Sequence, residues 1–338
     1  MIPAGHDSAV RIGVTSWGSG GAARGADWMA EVAGQAETAD QLGFESFWIP
    51  ESHFQRAGAC PAPLLLLAAA AARTRFLRLG TSSYLLPIRD PLRVAEDVAV
   101  LDQLSGGRVT LGLGRGFRAE LFRAFRIPRA KKRDRFRESL DIMRRAWRGE
   151  PIARSGQEPD ARPLYLSPLP AQRPHPPIWV AAFGPKALAQ VGGLGLPYLA
   201  SPVETLERLR ENHGRHREAL PDGIDAAQLA VPVIRTVFVT RNLERAEQIR
   251  RGLEQQAQLA SRRLGRGFAN LAQAGADDWA LVGEPDEILE RIQGYRSEIG
   301  LTHLICGLRA PGTSEAEIES TLHELAQIAE RIASPGFA

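Results

Sequence analysis

The feature that most constrains this chain is a regular alternation of short apolar runs with longer amphipathic ones. The short runs are Arg11–Ser16, Ser46–Pro50, Leu77–Tyr84, Val109–Leu113, Ile178–Ala182, Pro197–Ala200, Val231–Thr240 and His303–Cys306. Helical patterns follow them, among them Trp28–Leu42, Pro63–Arg73, Pro91–Leu104, Arg129–Trp147, Pro185–Gly193, Val203–Ala219, Leu243–Leu264, Pro285–Glu298 and Ser314–Ala333. Strands that alternate with helices run parallel, because a helical crossover returns the chain to the same end of the sheet. Eight such units close most simply into a (β/α)8 TIM barrel, with a doubly wound open sheet as the alternative. The chain therefore reads as α/β, one barrel domain over residues 1–338. Insertions are expected near 149–177 and 265–282, where the alternation breaks.

A chain with 44% hydrophobic and 24% charged residues buries a large core without help from disulfides. Its two cysteines, Cys60 and Cys306, form no disulfide framework, and Cys306 ends an apolar run, as a buried thiol does. The start, Met1 to Asp7, lacks the basic and apolar parts of a leader, and the run Pro61–Ala72 is too short to span a bilayer. These readings predict a cytoplasmic protein with no membrane partner. The net charge of +3 suits an anionic ligand such as a phosphate at least as well as nucleic acid. The basic stretch Arg123–Arg137 reads as the solvated face of an amphipathic helix carrying Phe136, Leu140, Met143 and Trp147 on its other side. His213 and His216 lack carboxylate or cysteine partners at ligand spacing, so no metal is expected and a solvated helix face is predicted for them.

A parallel barrel places its active site at the carboxyl ends of the strands. There the chain carries Glu51-Ser52-His53-Phe54, then Ser82-Ser83, then Gly112–Phe117, then Phe183-Gly184-Pro185. His53 is the one histidine at a strand end with an acidic neighbour, Glu51, and imidazole transfers protons near neutral pH. Gly112-Leu113-Gly114-Arg115-Gly116 lacks dinucleotide spacing, and no helix obviously starts on it. Its small residues are expected to let a ring or phosphate approach the backbone, with Arg115 supplying charge. Gly184 opens a helix whose free N–H groups suit a phosphate, though a plain proline-initiated helix explains the same residues.

Several of these segments resemble the bacterial luciferase-like flavin enzymes. Trp48-Ile-Pro-Glu51-Ser52-His53-Phe54 is similar to that family's W-x-x-E-H-H-F, and Leu79–Phe117 holds P-x-R-x-A-E, L-D-x-L-S-x-G-R and G-x-G-R-G in order. Pro177–Gly184 and Val282-Gly283-Glu-Pro285 are similar to further family elements. The resemblance implies a monooxygenase using O2 and reduced FMN, supplied by a flavin reductase, on a small organic substrate, and usually a homodimer. A deazaflavin F420-dependent hydride transfer and a non-catalytic flavin-binding protein are the alternatives. By position, Arg115 and the Phe183–Gly184 backbone match the phosphate site. Ser82 and Ser83 match the residues against the isoalloxazine, often joined by a non-proline cis peptide, and Glu51 and His53, the candidate catalytic pair, match the acidic residue and the second histidine of the site. Ser52 replaces the first histidine of the motif, and Gly114 a reactive cysteine; a serine is no base near pH 7 unaided, so aldehyde luminescence is not expected.

Overall fold

A computed structural model of the chain describes residues 9–17, 28–54, 58–152, 162–264 and 273–334. All eight expected strands form within it: β1 (Arg11–Thr15), β2 (Ser46–Ile49), β3 (Arg78–Thr81), β5 (Val109–Gly114), β6 (Ile178–Ala181), β7 (Tyr198–Leu199), β8 (Pro232–Val239) and β10 (His303–Gly307). Two further short strands join them, β4 (Tyr84–Leu85) beside β5 and β9 (Ala280–Gly283) beside the far half of β8. Every ladder is parallel, in the order β7-β6-β5-β3-β2-β1-β10-β8-β9. A parallel bridge between Ala200 and Val233 joins β7 to β8 and brings the sheet round on itself.

The helices are α1 (Trp28–Gln41), α2 (Pro63–Ala71), α3 (Pro91–Leu104), α4 (Ala119–Ala124), α5 (Lys132–Trp147), α6 (Pro185–Gly193), α7 (Leu206–Glu218), α8 (Leu243–Leu264), α9 (Pro285–Ile299) and α10 (Glu315–Ala333). Their ends are written in the sequence. Asp90 caps α3 by accepting from the Leu92 and Arg93 N–H groups, with Pro91 in the first turn where no donor is missed. Ser314 and Glu317 form a capping box on α10, and Gly300 ends α9 in the left-handed conformation. α4, starting at Ala119, is too short to show a helical period; it begins just past the glycine-rich strand end.

Parallel pairing puts partnered residues on the same face of the sheet. Val14, Phe47, Ile49, Leu79, Val109, Leu111 and Val180 join the helices in the main core, so the alternate residues line the barrel interior. That interior is filled by Trp48, Trp179, Leu199 and Ile305, with Trp48 and Trp179 stacked at 5.0 Å between ring centres. Glycines make the room: a Cβ on Gly80 would overlap the Trp48 ring, and one on Gly13 would overlap Ser46. The tryptophan pair divides the interior into two ends, each with its own cavity.

Of the expected insertions, 153–161 and 265–272 lie outside the described residues, as does 18–27 of the loop after β1. The described part of 149–177 packs beneath the sheet; Gln172 donates to the buried Asp102 carboxylate and to the Val109 carbonyl. Among the described residues no helix is long and apolar enough to cross a membrane.

Candidate active site at the carboxyl end of the barrel

Where the strands end, a cavity of about 310 Å³ is lined by Glu51, His53, Ser82, Ser83, Arg115 and Phe183, six of the seven residues singled out from sequence. Gly184 lies one residue beyond its wall, at the N-cap of α6 with φ of 79° and open space around it. The Ser82–Ser83 peptide is cis, as the resemblance implied.

Glu51 is the hub of one wall. Its side chain is fully buried, and Oε1 lies 2.5 Å from His53 Nε2 and accepts from Arg89 Nη1 at 2.9 Å. Oε2 accepts from the Leu85 N–H at 2.9 Å. A carboxylate only accepts, so His53 Nε2 carries a proton toward Glu51, and Nδ1 is the ring nitrogen that Glu51 leaves free. Arg89 also donates to the Leu85 and Pro61 carbonyls and covers the Tyr84 ring at 4.0 Å, tying β2, the strand after β3 and the loop before α2 together. Sequence reasoning assigned Arg89 no role. Its position in Leu86-Pro87-Ile88-Arg89-Asp90, directly before a helix cap, was the available signal.

Ser52 differs from its neighbours in what it does. Its Oγ accepts from the Cys60 N–H at 3.0 Å, and its own N–H donates to the Cys60 carbonyl, so it closes the 52–60 loop. Burial raises the Cys60 thiol to about 12, which leaves it unreactive near neutral pH.

The opposite wall is cationic. Arg115 donates to Gln190 Oε1 on α6 at 2.8 Å, and Lys132 on α5 donates to the Gly116 carbonyl at 2.8 Å. Burial lowers both pKa values; Arg133 adds to the effect on Arg115, while Arg115, Arg129 and Arg133 add to that on Lys132. Among the described residues neither cation pairs with a carboxylate. Lys132 corrects the expectation of a wholly solvated basic face on this helix, because it is half-buried and turns to the cavity. The glycines of β5 also serve the packing of the strands. A Cβ on Gly112 would overlap the Thr81 carbonyl and one on Gly114 would overlap Ser83 Oγ, so they let the neighbouring strand approach, while Gly114 and Gly116 also line the cavity. The rim is aromatic: Phe54, Phe117 and Phe183 are exposed around the opening, and Phe125 meets the His53 ring edge-on at 5.4 Å.

His213 and His216 depart from expectation. Both are buried on the face of α7 that packs under β7; His216 Nε2 contacts the Leu196 carbonyl and His213 lies against Tyr198. Burial, with His216 and Arg217 nearby, lowers His213 to about 3. Among the described residues no group of three metal-ligating side chains occurs.

This is an α/β barrel whose carboxyl-end cavity sets a buried carboxylate–histidine pair opposite two cations without a carboxylate partner among the described residues. A family model, luciferase-like monooxygenase, matches residues 10–303. The chain belongs to that family. It is 36% identical over 172 residues to 4-hydroxyprotoasukamycin monooxygenase of Streptomyces nodosus subsp. asukaensis, covering 49% of this chain and 46% of that one. The chain spans about half the length of the curated relatives it matches first, 46% to 62%. The solved structure of monooxygenase RslO1 from Streptomyces bottropensis is similar over 96% of this chain and 100% of its own, with a TM-score of 0.76 and 27% identity. The FMN complex of the oxygenating constituent of 3,6-diketocamphane monooxygenase, from a Pseudomonas putida plasmid, shares the fold with a TM-score of 0.78 at 22% identity. It covers 96% of this chain and 99% of that one.

Proposed function

We propose that this protein is a flavin-dependent monooxygenase that takes reduced FMN from a separate reductase and uses it with O2 on a small, largely apolar substrate. The observation that carries this reading is the composition of one cavity: two cations free of carboxylates among the described residues at one wall, a Glu51–His53 pair at the other, and Ser82–Ser83 between them.

FMN fits these residues. Arg115 and Lys132 have no counter-ion among the described residues and would receive its phosphate, helped by the Lys186 N–H at the start of α6 beside Phe183 and Gly184. Ser82 and Ser83 would bear on the ring. When bound, reduced FMN would supply two electrons to O2, so that one oxygen atom enters the substrate and the other leaves as water. The chain's own groups do the rest. Glu51 holds the His53 proton on Nε2 and leaves Nδ1 as the proton acceptor, with Arg89 fixing the carboxylate. The phenylalanine rim would exclude water and favour an apolar substrate. Ser52, engaged with Cys60, takes no proton. A homodimer would use the outer face of α2 and α3 with the turn before β3, where Leu65, Val100, Leu104 and Phe76 are exposed.

The test is turnover. With FMN, NADH and a flavin reductase, a panel of apolar substrates gives O2 consumption coupled to oxygenated product. Turnover with reduced F420 under nitrogen, or no product across the panel despite tight FMN binding, would overturn the reading.

A further inference from the structure

At the other end of the barrel, where the strands begin, a second cavity of about 310 Å³ opens beneath Trp179. Arg11 and His303, paired in register on β1 and β10, line it with Arg78 at the start of β3. Arg173 and His175, from the segment before β6, line it as well. Glu45 is the one carboxylate of the described lining, and it forms no ion pair with these arginines.

Part of the donor set here is unspent. Arg78 uses Nε and Nη2 on Thr110 Oγ1, the Val109 carbonyl and Gln172 Oε1, and its Nη1 has no partner among the described residues. The Arg11 guanidinium likewise has none among them. Thr302 Oγ1 accepts from the Val231 N–H at 2.7 Å and lies 2.8 Å from His303 Nδ1. A hydroxyl that accepts one bond can still give its hydrogen to Nδ1, and in that tautomer the neutral ring carries its own proton on Nε2. Burial, together with Arg11 and Arg78, lowers His303 to about 3, so the ring stays neutral near pH 7.

We propose that this cavity is a second anion site, taking phosphate or a phosphomonoester through Arg11, Arg78 and His303 Nε2–H. Donors converging from three strands suit a tetrahedral oxyanion better than a planar carboxylate, which one guanidinium fork satisfies. The cavity has the size of a small-metabolite site, leaving room beside Trp179 for an esterified remainder. No residue of this site lines the carboxyl-end cavity, so the two assignments are independent.

Isothermal titration tests it, with inorganic phosphate and glycerol phosphate as probes and Arg115→Gln protein as the background that weakens the other site. One binding site is expected to remain, and adding Arg11→Gln weakens it at least tenfold while Arg11→Lys retains part of the affinity. Tighter binding of the ester points to a phosphorylated metabolite, and tighter binding of phosphate to the free ion; both uphold the site. Arg11 makes no hydrogen bond through its side chain among the described residues, and circular dichroism checks that its variants fold. A second readout is Trp179, 4.9 Å from the His303 ring: binding changes the intrinsic fluorescence, and Trp179→Phe removes that change. No binding of either probe to the Arg115→Gln protein, or binding indifferent to Arg11→Gln, overturns the proposal. If FMN binding ignores Arg115→Gln while phosphate binding requires Arg11, the flavin reading fails and this one stands.

Discussion

The carboxyl end of the barrel spends an arginine on a carboxylate, whereas the amino end leaves the Arg11 guanidinium and Arg78 Nη1 without a partner among the described residues. At the first, Arg89 and the Leu85 N–H fix Glu51, and Glu51 fixes His53. At the second, Arg11, Arg78 and His303 line a cavity of the same volume, about 310 Å³, with no carboxylate–histidine pair among them. The contrast separates two uses of charge. A group that moves protons needs a partner to set its tautomer, while a group that holds an anion works best unpaired. The carboxyl end has both kinds on opposite walls, which is what chemistry on a bound anionic cofactor requires. The amino end has only the second.

The largest way to break this contrast is Glu51→Gln. The amide no longer fixes the proton on His53 Nε2 and leaves Arg89 without its counter-charge. Turnover should fall about a hundredfold, in the range of a lost general base, and coupled product formation measures it. Phosphate binding at the amino end should not change. A fall in both would show that the ends communicate.

Gly80→Ala tests what keeps them apart. The added methyl overlaps the Trp48 ring, which stacks on Trp179, and the core has no slack there. Denaturant unfolding should show a loss of about 1–3 kcal/mol, the usual cost of overpacking. Gly34→Ala, where a Cβ meets nothing within 4 Å, is the control expected to be neutral or slightly stabilising.

A smaller effect appears in acid. His213 and His303 have folded pKa values of about 3 against an ordinary 6.5, so below pH 6.5 the unfolded chain binds more protons than the folded one. Stability is therefore full above about pH 6.5 and is lost as pH falls toward 3. His213→Leu should flatten that decline by up to about 1.4 kcal/mol per pH unit, read from unfolding midpoints at pH 4 to 7.

Much of the fold and of the carboxyl-end site is legible in the amino-acid sequence. Alternation places the eight strands, and position at strand ends picks out Glu51, His53, Ser82, Ser83, Arg115 and Phe183, which one cavity gathers. Three things are not legible there, each for a physical reason. Arg89 and Lys132 act through the directions of their side chains, and a sequence gives spacing but not aim. His213 and His216 look solvated because α7 is strongly charged, yet the buried face of a helix is decided by what packs on it. The amino-end cavity is assembled from residues near opposite ends of the chain, Arg11 and His303, so no local pattern announces it.

The most direct test of the two-ended barrel is a titration of reduced FMN into wild-type, Arg115→Gln and Arg11→Gln protein, followed anaerobically by absorbance. Arg115→Gln is expected to weaken binding about thirtyfold or more, the worth of one charge-assisted phosphate contact of about 2 kcal/mol or above. Arg11→Gln is expected to leave binding unchanged. Equal affinity in wild-type and Arg115→Gln protein, or a loss on Arg11→Gln alone, would contradict the assignment of the flavin to the carboxyl end.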